Sequence, residues 1–225
     1  MSLNILRVNA PVKATASVII MHGLGDSADG WKFLSDMLHQ HRQFQSVNFI
    51  FPNAPVKPLS VAGGQPVSQW FDIYEMGNPN AKQDEDGYWD NVKKIHNLIE
   101  SEINSGIDST KIVVGGFSQG AALSLGVAAT FEKKLAGILC LSGFFSMKKG
   151  LSTRLVDTNK DTEIYHGHGD MDPVIPIEYA RMTAKYFKDL GFTNYTLKEF
   201  VGMGHSSSNE ELQDITNFLT KNLSL

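Results

Sequence analysis

Six short apolar, β-branched runs recur along the chain, at 17–21, 47–51, 111–115, 136–141, 163–166 and 195–200. Their apolar character is continuous rather than strictly alternating, the pattern of strands covered on both faces. Between several of them lie helical spacings. Trp31, Leu34, Met37 and Leu38 fall at i, i+3, i+6 and i+7; Val92, Ile95, Leu98 and Ile99 repeat the pattern, and Ile215, Phe218 and Leu219 continue it near the end. Strands that alternate with helices restrict the chain to an α/β fold: a mostly parallel central sheet with helices on both faces. No repeat, low-complexity tract or Pro/Gly-rich linker divides it, so a single domain over 1–225 is expected.

Two stretches depart from this rhythm. Residues 112–131 carry no charge, yet they hold Gly115, Gly116, Ser118, Gln119, Gly120, Ser124 and Gly126. That is too polar and too Gly-broken for a lipid-facing helix, and it reads as a buried strand followed by a buried helix. Residues 52–87 form an irregular segment with Pro52, Pro55, Pro58, Pro66 and Pro79. It also carries Leu59, Val61, Val67, Trp70, Phe71, Ile73 and Met76, too apolar for disorder, so it is expected to pack down on something.

Charge and cysteine content narrow the function classes. The net charge is −4, without the basic stripe of a nucleic-acid binder. The one cysteine, Cys140, has no partner for an internal disulfide and lies in an apolar run, where a thiol behaves as a small hydrophobe. Residues 1–20 include Arg7, Pro11 and Lys13 and no apolar run long enough for a signal peptide. Ser2 is not the glycine of myristoylation, and Leu225 closes no prenylation box. The expectation is a cytoplasmic address, with a nuclear one left open.

The chemistry centres on Gly116-Phe117-Ser118-Gln119-Gly120, a G-x-S-x-G. It follows an apolar run and opens the helical run 121–129, the strand–turn–helix context of a nucleophile elbow. A Cβ at Gly116 or Gly120 would collide with its neighbours in so sharp a turn. The turn lifts the Ser118 oxygen into the open and sets the Gln119 N–H at a helix N-terminus, where an oxyanion would form. The alternative is a glycine-rich turn whose serine only caps the helix. A serine nucleophile needs a histidine base and an orienting carboxylate, which in this context follow in the order Ser, Asp or Glu, His.

The segment from His166 to Val174 follows one strand; Gly202-Met203-Gly204-His205-Ser206 follows the next. Both stand at strand ends on the elbow's edge of the sheet, where α/β proteins bind ligands. His205, in a turn of glycines and serines, is the preferred base. His39, His41 and His96 fall in helical segments and read as solvated. Asp172 is the preferred orienting acid because Pro173 fixes the turn beside it, with Asp170 tying the loop to backbone N–H groups. His166, His168, Asp170 and Asp172 also alternate like metal ligands, but the triad already uses this loop, so neither metal nor cofactor is expected. His22-Gly23-Leu24-Gly25-Asp26 follows the first strand; Leu24 N–H is the second oxyanion candidate, with His22 bracing the loop.

With these residues in place, the chain resembles the acyl-protein thioesterase/carboxylesterase (lysophospholipase-like) family of α/β-hydrolases. The resemblance runs from His22-Gly-Leu-Gly-Asp-Ser27 through Phe51-Pro-Asn-Ala-Pro55, Trp70-Phe-Asp-Ile73, Gly115 to Ser124 and Leu141-Ser-Gly143. It ends on His168-Gly-Asp-Met-Asp-Pro-Val-Ile-Pro176 and Gly204-His-Ser206. It implies an α/β-hydrolase fold, Ser118 as nucleophile, Asp172 as acid, His205 as base, and Leu24 and Gln119 as oxyanion donors. It implies hydrolysis of thioesters of fatty-acylated cysteines on proteins. It also implies activity on lysophospholipids and small esters, while the charge balance leads to no nucleic-acid partner being expected. A broad carboxylesterase or lysophospholipase with the same triad is the alternative; a non-catalytic binding scaffold would usually have lost a triad member. Some animal members of the family have an acylated N-terminal cysteine. None precedes Cys140 here, so transient membrane contact at most is expected. A long acyl chain needs an apolar groove, since each buried methylene contributes about 0.8 kcal/mol. Leu59, Val61, Ile73, Met76 and Val174 are the expected walls; the alternative is that they are core beneath a long loop.

Overall fold

The computed structural model describes residues 3–77 and 81–225; Ser2 and Pro79 lie outside them. In chain order the elements are β1 (Ile5–Val8), β2 (Ala16–Met21), α1 (Asp29–Leu38), β3 (Val47–Pro52), β4 (Val56–Leu59) and β5 (Gln65–Ser68). There follow α2 (Glu85–Asn104), β6 (Ile112–Phe117), α3 (Gln119–Thr130), β7 (Gly137–Leu141) and α4 (Lys148–Leu151). The last are β8 (Ile164–Gly169), α5 (Ile177–Asp189), β9 (Tyr195–Phe200) and α6 (Asn209–Leu223).

Seven strands form the central sheet in the order β1-β3-β2-β6-β7-β8-β9. All neighbouring pairs are parallel except β1 with β3, which run antiparallel at the edge. Every residue of β2, β3, β6 up to Gly116, β7 and β8 is buried, so five of the six apolar runs mark strands covered on two sides; the sixth, β9, is an edge strand buried only at Tyr195 and Phe200. Alternation sorts their side chains. Ile19, Met21, Val114, Ile138, Cys140 and Ile164 join α2, α3 and α5 in one core layer. Val18, Ile20, Val113, Leu139 and Leu141 join α1 and α6 in the other.

The uncharged stretch resolves into β6, a one-residue turn and α3. Residues 119–129 of that helix are buried on every side, because the sheet lies beneath it and α2 above. No helix among the described residues is long and apolar enough to cross a membrane.

The 52–87 segment is more ordered than expected. It contains the β4–β5 hairpin, which pairs Val56 with Ser68 and Leu59 with Gln65, and α2 begins inside it at Glu85. The Asp84 carboxylate caps that helix by accepting from the Gly87 N–H at 3.0 Å. The segment packs down through Trp70, which is fully buried and donates its indole N–H to the His22 carbonyl at 2.8 Å.

Candidate active site

β6, β8 and β9 lie in one half of the sheet, and their C-terminal ends open on the same edge. Ser118 follows β6, Asp172 follows β8 and His205 follows β9. Ser118 has φ 55° and ψ −116°, a conformation that a non-glycine residue adopts only where its surroundings hold it. Its N–H donates to the Leu141 carbonyl at 2.9 Å, and its carbonyl accepts the Ala122 N–H at 3.1 Å. The flanking glycines are sterically required: a Cβ on Gly116 would stand 2.3 Å from the Gly120 carbonyl carbon, and one on Gly120 2.2 Å from the Met21 oxygen.

His205 Nδ1 lies 2.7 Å from Asp172 Oδ2. The Asp172 side chain is fully buried, and the His205 side chain is 16% exposed. The other carboxylate oxygen, Oδ1, accepts the N–H groups of Val174 at 2.8 Å and Ile175 at 2.9 Å. The turn after Asp172 thus fixes its carboxylate, and the imidazole Nδ1–H completes the pair. Phe117 packs on His205, with ring centroids 4.8 Å apart. Asp170 has the other role foreseen for it, accepting the Gly202 N–H at 2.7 Å.

Ser118 and His205 open onto a cavity of about 290 Å³. Leu24 and Gln119 line it too. Gln119 is the first residue of α3, and helix geometry leaves N–H groups in that turn without an intrahelical acceptor. Its side chain is held from both ends: Oε1 accepts the Trp70 N–H at 2.9 Å, and Nε2 donates to the Phe71 carbonyl at 3.0 Å. His22 braces its loop as expected. Nε2 accepts the Ala54 N–H at 3.0 Å, which leaves Nδ1–H to donate to the Gly23 carbonyl at 2.7 Å. Burial lowers its pKa, consistent with a neutral ring.

Ile73, Met76 and Val174 line the cavity; Leu59 and Val61 do not. Those two belong to the turn end of the β4–β5 hairpin, whereas the hairpin's base joins the site through Gly25 N–H to the Ser68 carbonyl at 2.8 Å. Leu59 is buried, and Val61 donates its N–H to the Ile73 carbonyl at 2.8 Å, so it supports the chain next to the wall instead of forming it. Among the walls that sequence reasoning missed are Phe144, after β7, and Tyr179, in the first turn of α5. Their rings stand 5.8 Å apart, and the Tyr179 hydroxyl donates to the Gly77 carbonyl at 3.1 Å.

Three histidine readings need correction. His96 is half-buried: its ring packs on Phe131 at 5.1 Å, and burial pushes its pKa down to about 4. His39 caps the end of α1 and contacts the Val47 carbonyl through Nε2 at 2.9 Å; His41 is exposed. His168 lies within β8, which continues past His166 to Gly169, not in the loop after the strand, and both histidines are fully buried. No group of three or more His, Cys, Asp or Glu side chains among the described residues could hold a metal.

A model of the phospholipase/carboxylesterase family matches residues 4–223. Acyl-protein thioesterase 1 of Kluyveromyces lactis is 43% identical over 228 residues, covering all of both chains. Acyl-protein thioesterase 1 of Saccharomyces cerevisiae is 41% identical over 99% of this chain and 100% of its own. Among solved structures, acyl-protein thioesterase 2 of Zea mays superposes with a TM-score of 0.85 at 26% identity, covering 98% of this chain and 99% of its own. SOBER1 of Arabidopsis thaliana superposes at 0.87 with 28% identity, over 92% and 99% of the two chains.

Proposed function

The chain belongs to the phospholipase/carboxylesterase family of α/β-hydrolases, and on that premise we propose that it is a serine hydrolase that cleaves thioesters of fatty-acylated cysteines on proteins. One observation carries the reading: an elbow serine and an aspartate-held histidine open together onto one largely apolar cavity. The relatives named as acyl-protein thioesterases support the choice of thioester substrate.

In this mechanism the thioester carbonyl docks against the N–H groups of Leu24 and Gln119, and the acyl chain lies along Ile73, Met76, Val174, Phe144 and Tyr179. His205 takes the proton of Ser118 as its oxygen attacks the carbonyl carbon. Asp172 holds the imidazole tautomer and stabilises the imidazolium. The tetrahedral intermediate collapses, the C–S bond breaks, and His205 protonates the leaving thiolate. Water then attacks the acyl-enzyme with His205 again as base, and the fatty acid leaves. Removing one oxyanion donor costs about 10²–10³ in kcat.

The test is covalent labelling of Ser118 by a fluorophosphonate, with rates on an acylated peptide, a lysophospholipid and a short-chain ester. Ser118→Ala is expected to abolish labelling and to cost on the order of 10⁶ in kcat. Near-full hydrolysis by that variant would sink the assignment. A lysophospholipid or short ester turned over much faster than the acylated peptide would move the reading to a lysophospholipase or broad carboxylesterase, which the family description also covers.

A further inference from the structure

We propose that His168 is a positioning residue for the hydrolytic reaction: from within β8 it holds the Asp172 loop, and through it the carboxylate that orients His205. This inference rests on the triad proposed above and extends it one residue deeper. Asp172 Oδ1 is occupied by the N–H groups of Val174 and Ile175, and Oδ2 faces His205 Nδ1. His168 Nε2 lies 3.4 Å from that same Oδ2 and 2.8 Å from the Ile175 carbonyl oxygen.

A carbonyl only accepts, so Nε2 carries the proton. That N–H therefore closes the Asp172–Ile175 turn from below: Ile175 donates to Asp172 and accepts from His168. It also presents a fourth N–H dipole to a carboxylate that is buried and has about four lone-pair positions to satisfy. Nδ1 has no hydrogen-bond partner and His168 is fully buried, so the ring makes its polar contacts through the Nε2 edge.

The ionisable groups around it are Asp172, His205, Glu199 of β9 and the neighbouring His166, whose ring centroid is 5.6 Å away. Burial lowers the pKa of His168 despite Asp172, in keeping with a neutral ring that donates through one nitrogen. The chemistry of β8 also makes the assignment economical: His166 and His168 share one face, and His166 contacts the Tyr195 hydroxyl at 2.8 Å, away from the site. Only His168 stands at the strand end, where the acid loop begins.

The test compares three substitutions in the full chain. A glutamine amide can place an N–H near the Nε2 position, an asparagine amide reaches only as far as Nδ1, and methionine offers none. H168M and H168N are expected to lower kcat on the order of 10²-fold with KM little changed, the usual scale for a displaced catalytic group. Both should move the acid limb of kcat/KM to higher pH, because a carboxylate with one donor fewer holds the imidazolium proton more tightly. H168Q should restore most of kcat and the wild-type limb. A lowered melting temperature with unchanged kcat and pH profile in the folded variants overturns the proposal, as does equal behaviour of Asn and Gln. Asp172→Asn, run beside them, separates the two claims. If it keeps full activity, the triad itself fails; if it loses about 10⁴ in kcat while the His168 series stays flat, only this inference does.

Discussion

Glu211 occupies the third position of α6, where its N–H donates to the Ser208 hydroxyl at 3.1 Å as in a helix-capping box. Its side chain does not turn back to complete the box. The carboxyl is buried against Gly167 of β8, and neither oxygen has a hydrogen-bond partner. Burial, then the nearby Asp214 charge, pushes its pKa from 4.5 to about 8. In the unfolded chain the group loses its proton near 4.5; in the folded protein it keeps it until about 8. Folding therefore binds a proton over that window, and stability falls as pH rises through it. Glu211→Gln copies the neutral form at every pH. Its stability relative to wild type should rise by on the order of a few kcal/mol between pH 5 and 8 and then level off, measured by urea melts at each pH. A flat difference would place the carboxyl in a wetter or better-paired setting. The Ser208-x-x-Glu211 spacing marks a helix start in the sequence, but not that the carboxyl is buried, because burial of a charged side chain is a tertiary fact. Ser118, Asp172 and His205 were legible because the chemistry demands those residue types and the nucleophile-elbow context sets their order. His168 was misplaced because a strand end of alternating histidines and glycines has no β-branched signature; its placement comes from the neighbours that β8 pairs with.

At the scale of elements, the wall of the cavity was half legible. The apolar content of 52–87 announced a packed segment, but not that a hairpin turn carries Leu59 and Val61 off the wall while the chain after Trp70 descends onto it. The paired glycines Gly63 and Gly64, with φ 65° and 82°, are the signal that would have revealed that turn. Two substitutions separate the roles. Met76→Asp charges a residue that lines the cavity and should slow hydrolysis of long-chain esters by 10-fold or more relative to acetyl esters, taking about 1.4 kcal/mol per tenfold. Val61→Asp charges an exposed residue off the wall and should leave that ratio near its wild-type value. A shared response in chain-length profiles would return Val61 to the groove. α5 escaped the sequence reading although Ile177, Ala180, Ala184 and Phe187 are all buried along it. Two of those four are alanines, which give a helix a weak apolar stripe. β1 escaped for the opposite reason: it is a half-exposed edge strand held antiparallel on β3, and its residues alternate instead of running apolar.

For the molecule as a whole, the alternation of strands and helices was enough to expect a parallel sheet between two helical layers, because that arrangement alone buries continuous strands on both faces. The strand order, with β2 between β3 and β6, was not readable, since it depends on which crossovers pack side by side. Cys140 shows how deep the resulting interior is. It lies on β7 among Ile138, Val114 and Ile164, with no exposed surface, and burial raises its thiol well above the ordinary range. Iodoacetamide should leave it unmodified in the native protein and modify it at the rate of global unfolding, with alkylation and urea-monitored unfolding rates coinciding. Faster alkylation would reveal a local opening of the central sheet. A thioester hydrolase sheds a free cysteine on every turnover, and this one has no accessible thiol of its own to meet it. The substrate cannot hand its acyl group to a thiol of the enzyme, and the product cannot trap the native enzyme as a mixed disulfide. A thiol-reactive dye present throughout the reaction would therefore count substrate molecules and nothing else.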